Sequence, residues 1–188
     1  MNDFEQAIDS IKKDPVINQA VGLVAKLELN DWYVSAGLIR NFIWDLHFSK
    51  QTHQVVSDID VIYFDENNTA EEIDHLYELQ LQNLEPKYKW SVKNQARMHK
   101  RNGDPTYTSS LDAMSYWPEI QTAIGVCLNE NGEVSVSSPF WESYQIDRVT
   151  RNSKKDNLGI FNERVNNRFW LSRWPELIVE CRSNHQRM

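Results

Sequence analysis

Two carboxylates stand one residue apart at the head of an apolar run, in Val56-Ser57-Asp58-Ile59-Asp60-Val61-Ile62-Tyr63-Phe64-Asp65. Ile59, Val61, Ile62, Tyr63 and Phe64 are β-branched, aliphatic or aromatic, and polar residues bound them on both sides, so the segment reads as a buried β-strand. Alternate side chains share a face of a strand, which puts Asp58 and Asp60 on the same side, roughly 6–7 Å apart. Like charges that close repel, and each resists losing its water. A divalent cation between them removes both costs, and carboxylate oxygens suit Mg2+, with Mn2+ as a substitute. The first chemistry this chain offers is therefore a metal site at the start of a core strand.

A second feature lies about twenty residues upstream. Trp32-Tyr33-Val34 is β-prone and runs into Ser35-Ala36-Gly37, after which Leu38 to Phe48 has helical spacing. A glycine at such a strand-to-helix turn supplies φ > 0 and lets a ligand come close to the backbone. Free N–H groups of the first helical turn then favour an anion. Arg40, one turn along, adds positive charge near the same spot. A phosphate-holding turn followed by a metal-holding strand is what a nucleoside triphosphate with Mg2+ requires, since the metal polarises the α-phosphoryl group and stabilises departing pyrophosphate.

Composition narrows the setting. The chain has 188 residues, enough for one domain with a full core, and a single domain over 1–188 is expected, with a catalytic core at about 30–100 and a C-terminal extension at about 105–188. Its 27 acidic and 20 basic residues leave a net charge of −7, which by itself draws neither nucleic acid nor an anionic membrane. Mean hydropathy is −0.61, and no apolar run approaches the roughly 18 residues needed to span a bilayer. Met1-Asn2-Asp3-Phe4-Glu5 lacks the basic start and apolar core of a signal peptide, and Cys127 and Cys181 have no metal spacing. A cytoplasmic protein with reduced thiols is expected.

The elements that must position the two features follow from periodicity. Residues 3–13 form a helix with Phe4, Ala7, Ile8 and Ile11 on one face; Asp14-Pro15 caps and opens a second helix over about 15–29. After the Asp-bearing strand, Thr69 to about Leu84 is an acidic helix, Tyr88 to Val92 a strand, and 94–108 irregular or partly helical with a turn at Asn102-Gly103-Asp104-Pro105. Ser110 caps a short helix through Met114. Thr122–Leu128 and Glu133–Val136 make a hairpin, Ser138–Ile146 a short helix, and the last 30 residues a long helix interrupted at Trp174-Pro175.

Gly37-Leu38-Ile39-Arg40-Asn41 with Asp58-Ile59-Asp60 resembles the glycine turn and Asp-x-Asp signature of the polymerase-β-type nucleotidyltransferases. Further segments bring the resemblance to a bacterial nucleotidyltransferase-like family of that superfamily: Trp44-Asp45, Ser57 to Asp65, Asn94-Gln95-Ala96-Arg97-Met98-His99 and Ser138-Pro139-Phe140. The resemblance covers roughly residues 30–175 and implies an α/β (α+β) nucleotidyltransferase fold, a small mixed sheet with helices packed on it, plus a C-terminal hairpin and helix. It implies Asp58 and Asp60 as catalytic Mg2+ ligands, and Gly37, Leu38, Arg40 and Ser57 at the triphosphate. Asn94, Arg97 and His99 become residues of the substrate cleft, and the acceptor of the nucleotidyl group stays open. One departure stands out. The superfamily usually adds a third carboxylate from a neighbouring strand, where this chain offers Asn94, an amide that cannot act as a base. Glu85, Asp104, Asp112 and Glu142 are the remaining acidic candidates. The competing reading is a catalytically degenerate module of the same fold that binds a nucleotide or RNA.

Other residues add less. His47, His53, His75, His99 and His185 show no paired helical spacing for zinc. Trp44, Trp170 and Trp174 sit among apolar neighbours and read as core, whereas Trp90, Trp117 and Trp141 are candidates to stack on a base. Basic residues gather at Lys87, Lys89, Lys93, Arg97, Lys100 and Arg101, and again at Arg148, Arg151, Lys154 and Lys155. One contiguous basic surface beside the Asp pair would favour a nucleotidyltransferase that modifies a macromolecule.

Overall fold

The computed structural model describes residues 3–54, 58–154, 157–167 and 169–181. In chain order the elements begin with α1 (Asp3–Lys13), α2 (Pro15–Ala25), β1 (Tyr33–Ser35), α3 (Gly37–His47), β2 (Asp58–Tyr63), α4 (Glu71–Leu84) and β3 (Lys89–Asn94). There follow α5 (Gln95–Asn102), α6 (Ser110–Met114), β4 (Gly125–Leu128), β5 (Val134–Ser137), β6 (Arg148–Thr150), α7 (Leu158–Asn167), α8 (Trp170–Arg173) and β7 (Ile178–Glu180). Among the described residues one mixed sheet of five strands has the order β3-β2-β1-β4-β5. β2 and β3 are parallel, joined by the helical crossover that a parallel pair needs, and the other pairings are antiparallel.

Alternation along the central strands divides the sheet into two unlike faces. Ile59, Val61 and Tyr63 of β2 share a face with Trp90 and Val92 of β3, and all five are buried. Helices α2, α3 and α4 cover that face, contributing Ile17, Val21, Val24, Ile39, Ile43 and Leu81 to one continuous core. Asp58, Asp60 and Ile62 point the other way, beside Lys89, Ser91 and Lys93 in register. That second face is only partly covered. Ile62 packs on Met114 and Ala123 at one end, and the sheet surface over Asp60 stays open.

Capping behaves as the sequence predicts at several ends. Asp14 accepts the N–H groups of Val16 and Ile17 at 3.0 and 2.9 Å, with Pro15 in the first turn of α2. Gly103 closes α5 in the left-handed conformation, φ 66°. α6 differs by one residue: Ser109, not Ser110, accepts the Asp112 N–H and is the cap. α2 also stops four residues earlier than the apolar pattern suggests, because Glu28 and Asp31 take positive φ and turn the chain into β1.

Two C-terminal expectations need correction. Ser138–Ile146 is no helix beyond a single 3-10 turn at Trp141–Ser143, because the Ser138 hydroxyl donates to the Ala123 carbonyl and accepts the Phe140 N–H. The long terminal helix is instead two helices broken at Phe169 (φ 56°), followed by β7, which pairs parallel with β6 in a second, two-stranded sheet. Strands of three residues are too short for a periodic signal. Trp44, Phe161, Val165, Trp170, Trp174 and Leu177 bury themselves together and fasten this segment to the far end of α3.

Gly125 tests how tightly the second face is built. It faces Ser35 across β1, and a Cβ placed on it would lie 2.7 Å from the Cβ of Tyr33. Gly125→Ala should therefore cost about 1–3 kcal/mol through overpacking, read as a lower urea midpoint at an unchanged m-value. An unshifted midpoint would show that β1 and β4 can part freely.

Candidate active site

Asp60 sits at the centre of the open face. Its register partners are Ser35 in β1 and Ser91 in β3, and those of Asp58 include Lys89, whose ammonium lies 3.7 Å from a carboxylate oxygen. The Asp58 side chain is 50% exposed and Asp60 is partly buried. The pair thus lies at the mouth of a cleft, not inside the core, and water and Lys89 moderate its repulsion.

The turn above the pair departs from expectation in an informative way. Gly37 does not have positive φ. The strained residue is Ala36, at φ 56° and ψ −121°, a conformation that favours glycine and costs an L side chain about 1–3 kcal/mol. No side chain caps α3, and Gly37 and Leu38 of its first turn line the cleft. Gly37 matters instead for space. A Cβ there would meet only the Arg40 guanidinium, at 3.8 Å, so the fold itself has room for a methyl group.

Arg40 is not the surface arginine its helix position would suggest. It is 5% exposed, donates to Thr122 Oγ1 at 2.9 Å and to Asn41 Oδ1 at 2.9 and 3.2 Å, and lies between two indoles. Its guanidinium carbon is 5.1 Å from the Trp44 ring and 4.5 Å from that of Trp170. Packing holds this charge in one place before any ligand arrives.

Two cavities meet at these residues. The first, about 620 Å³, is lined by Gly37, Leu38, Arg40, Asp58 and Asp60, with Phe169, Trp170 and Arg173 forming its far wall. Sequence reasoning missed that wall, since it comes from the segment read as a plain helix. Asp45 fixes it: Arg173 donates to both Asp45 oxygens and Trp174 Nε1 to one of them, at 2.9–3.1 Å. The second cavity, about 550 Å³, shares Gly37, Arg40 and Asp60 with the first and extends over β3 and α5.

Three predicted cleft residues lie elsewhere. Asn94 is fully buried, caps α5 by accepting the Ala96 N–H, and donates to the carbonyls of Asp65 and Asn68. Its place on β3 follows from parity: it is in phase with Trp90 and Val92, whereas Ser91 is the residue beside Asp60. Arg97 bonds the fully buried Asp74, which also accepts from the Tyr63 hydroxyl at 2.8 Å. Asp74 holds the Arg97 guanidinium above its ordinary pKa, and burial pushes the Tyr63 phenol up, so both stay protonated. His99 lies against the Tyr107 ring and lines neither cavity. Ser57 lies outside the described residues.

Nor do the acidic candidates complete the pair. Glu85 accepts from Gln19, Asp104 from Tyr107 and Asp112 from Thr108; these three and Glu142 line neither cavity. Asp45 does line the first, but Arg173 occupies it. Among the described residues no cluster of three or more His, Cys, Asp or Glu side chains converges. Two facing carboxylates on an open cleft suit Mg2+, which keeps several waters and shares its ligation with phosphates, and do not suit a closed structural zinc site. Much of the basic clusters' charge is already paired: Lys89, Lys93, Arg97, Arg148 and Lys154 each face a carboxylate.

A nucleotidyltransferase family model matches residues 22–179. The chain belongs to that nucleotidyltransferase family. Its fold also matches a solved protein whose NMR structure is described as revealing a CCA-adding enzyme head domain, at 30% identity and a TM-score of 0.82 over 95% of this chain and 96% of that one. None of the curated proteins matches the chain. Within this member of the family the Gly37 turn and the Asp pair face one cleft, whereas Asn94 and Arg97 build the α4–β3–α5 corner. Arg97→Ala would strand the Asp74 charge and should cost roughly 3–5 kcal/mol. Urea unfolding measures it, and a loss below about 1 kcal/mol would contradict the structural role.

Proposed function

We propose that this chain is a Mg2+-dependent nucleotidyltransferase that moves a nucleoside monophosphate from a nucleoside triphosphate to an acceptor. The observation that carries the proposal is that Asp58 and Asp60 face the same cavity as the uncapped start of α3 and the guanidinium of Arg40. Asp58 and Asp60 would hold Mg2+, which when bound neutralises triphosphate charge and polarises the α-phosphorus. The amides after Gly37 bind phosphate oxygens, and Arg40, immobilised by two indoles, orients them without having to be ordered first. Phe169, 78% exposed on the far wall, offers a ring face on which a base can stack. The solved relative's description as a CCA-adding head domain agrees with a nucleotide donor. No described helix is long and apolar enough to cross a membrane.

One observation favours the second reading, a nucleotide- or RNA-binding module without turnover: among the described residues, no third carboxylate is free to serve as base beside the pair. Incubation of a radiolabelled triphosphate with cell extract separates the two. Covalent label retained on an acceptor supports transfer; binding with no label transferred supports the module.

Triphosphate with Mg2+ at about 100 times its Kd should stabilise the protein by about 2.7 kcal/mol, a rise of roughly 5–10 °C in Tm. Asp58→Asn and Asp60→Asn should abolish the Mg2+-dependent part of that rise. A wild type indifferent to every triphosphate, or variants that respond like it, would end the nucleotide reading. Gly37→Ala should keep its unliganded Tm within a degree or two and lose most of the ligand-induced rise, because the methyl group fills space the fold leaves open. An undiminished rise would show that phosphate does not approach there.

A further inference from the structure

The second cavity shares Gly37, Arg40 and Asp60 with the first, but the rest of its lining has no part in holding the donor. We infer that it is the acceptor site, and that the acceptor is a small phosphate monoester bearing a hydroxyl and a flat ring, of which a nucleoside monophosphate is the simplest example. The inference rests on the donor reading above and assigns the other half of that site.

Topology supplies the first argument. The two cavities have Gly37, Arg40 and Asp60 in common, and Asp58 lines only the first. Displacement at an α-phosphorus needs the attacking and leaving oxygens roughly in line, hence on opposite sides of the reacting group. A donor lying over Asp58 and the Gly37 turn presents its α-phosphorus near Asp60, and β3 lies on the far side. There an acceptor hydroxyl oxygen bonds to the α-phosphorus while the bond to the α–β bridging oxygen breaks. Pyrophosphate leaves with that electron pair, and the hydroxyl proton passes to solvent.

Lining chemistry supplies the second. Lys93, Arg101 and Arg164 line this cavity, whereas Asp60 is its one lining carboxylate among the described residues. Lys93 bonds Glu78 at 3.0 Å and Arg164 is held by the buried Glu119, so both are fixed in place, and Arg164 keeps its Nη1 donors. Arg101 is exposed and makes no ion pair with a described residue, which leaves its planar fork available to a phosphate. Half-buried Trp117 supplies a ring face, beside Tyr116, whose ring already carries the Lys154 ammonium at 3.6 Å, and Ser91 and Asn102 add hydroxyl and amide groups. A cavity of about 550 Å³ is of small-molecule size, and a net charge of −7 does not gather a polyanion from a distance.

The test uses the full chain saturated with Mg2+ and the non-hydrolysable α,β-methylene analogue of the triphosphate that stabilises it most. AMP is then titrated and followed by calorimetry. AMP should bind alongside the analogue, and Arg101→Gln should weaken AMP at least tenfold while the analogue raises Tm equally in both proteins. Displacement of AMP by the analogue, unchanged AMP affinity in Arg101→Gln, or no AMP binding overturns the acceptor assignment. Binding of an oligoribonucleotide in place of AMP overturns the small-molecule class. If the analogue fails to stabilise the wild type, the donor reading falls and the acceptor role with it, a result separable from the others because it precedes any AMP.

Discussion

The two-residue period of β2 is the constraint on which the rest depends. Ile59, Val61 and Tyr63 must be buried together, and the same backbone then forces Asp58 and Asp60 onto the opposite face. Neither set can move without the other, since a slip of one residue would bring carboxylates into the core and expose three large apolar groups. Core formation therefore aims the carboxylates. The cost of keeping two like charges close is limited by leaving that face open, which is also what makes it a cleft.

A similar coupling holds the cation. Arg40 belongs to the first turns of α3, but its orientation is set by Trp44 on its own helix, Trp170 on α8 and Thr122 in the turn before β4. The C-terminal segment is pinned to α3 through Asp45, Arg173 and Trp174 and through the cluster around Trp44. Removing that segment would thus strip a wall from the first cavity and a face from the guanidinium that lines both. The elements proposed to bind the donor are preorganised by ordinary hydrophobic packing, which would leave little ordering entropy to be lost on ligand binding.

The places on β3 where a third carboxylate could stand beside the pair are identifiable. Ser91 occupies the β3 position beside Asp60, and Lys89 the one beside Asp58. A carboxylate at either place would add a negative charge to a face already holding two. Serine and lysine lower that repulsion, and Lys89 pairs with Asp58 directly. Under the proposed function, this arrangement would keep the charge a metal needs and would leave proton removal from an acceptor to solvent or to the acceptor itself.

Much of this was legible in the residues alone. Asp58-Ile59-Asp60 within an apolar run, Pro15 after Asp14, and small residues at the β1–α3 turn determine strand, cap and turn through local sterics and period, which need no knowledge of neighbours. Even the position of Asn94 was encoded, because the polar–apolar alternation Lys89-Trp90-Ser91-Val92-Lys93 places it on the buried phase. Tertiary structure alone decided the remainder. That Ala36, not Gly37, carries the strain, that Arg40 is clamped by Trp170 from 130 residues away, and that β7 finds β6 are outcomes of long-range packing. Such contacts draw their energy from surfaces brought together by the whole chain, and no local pattern of residue types records them.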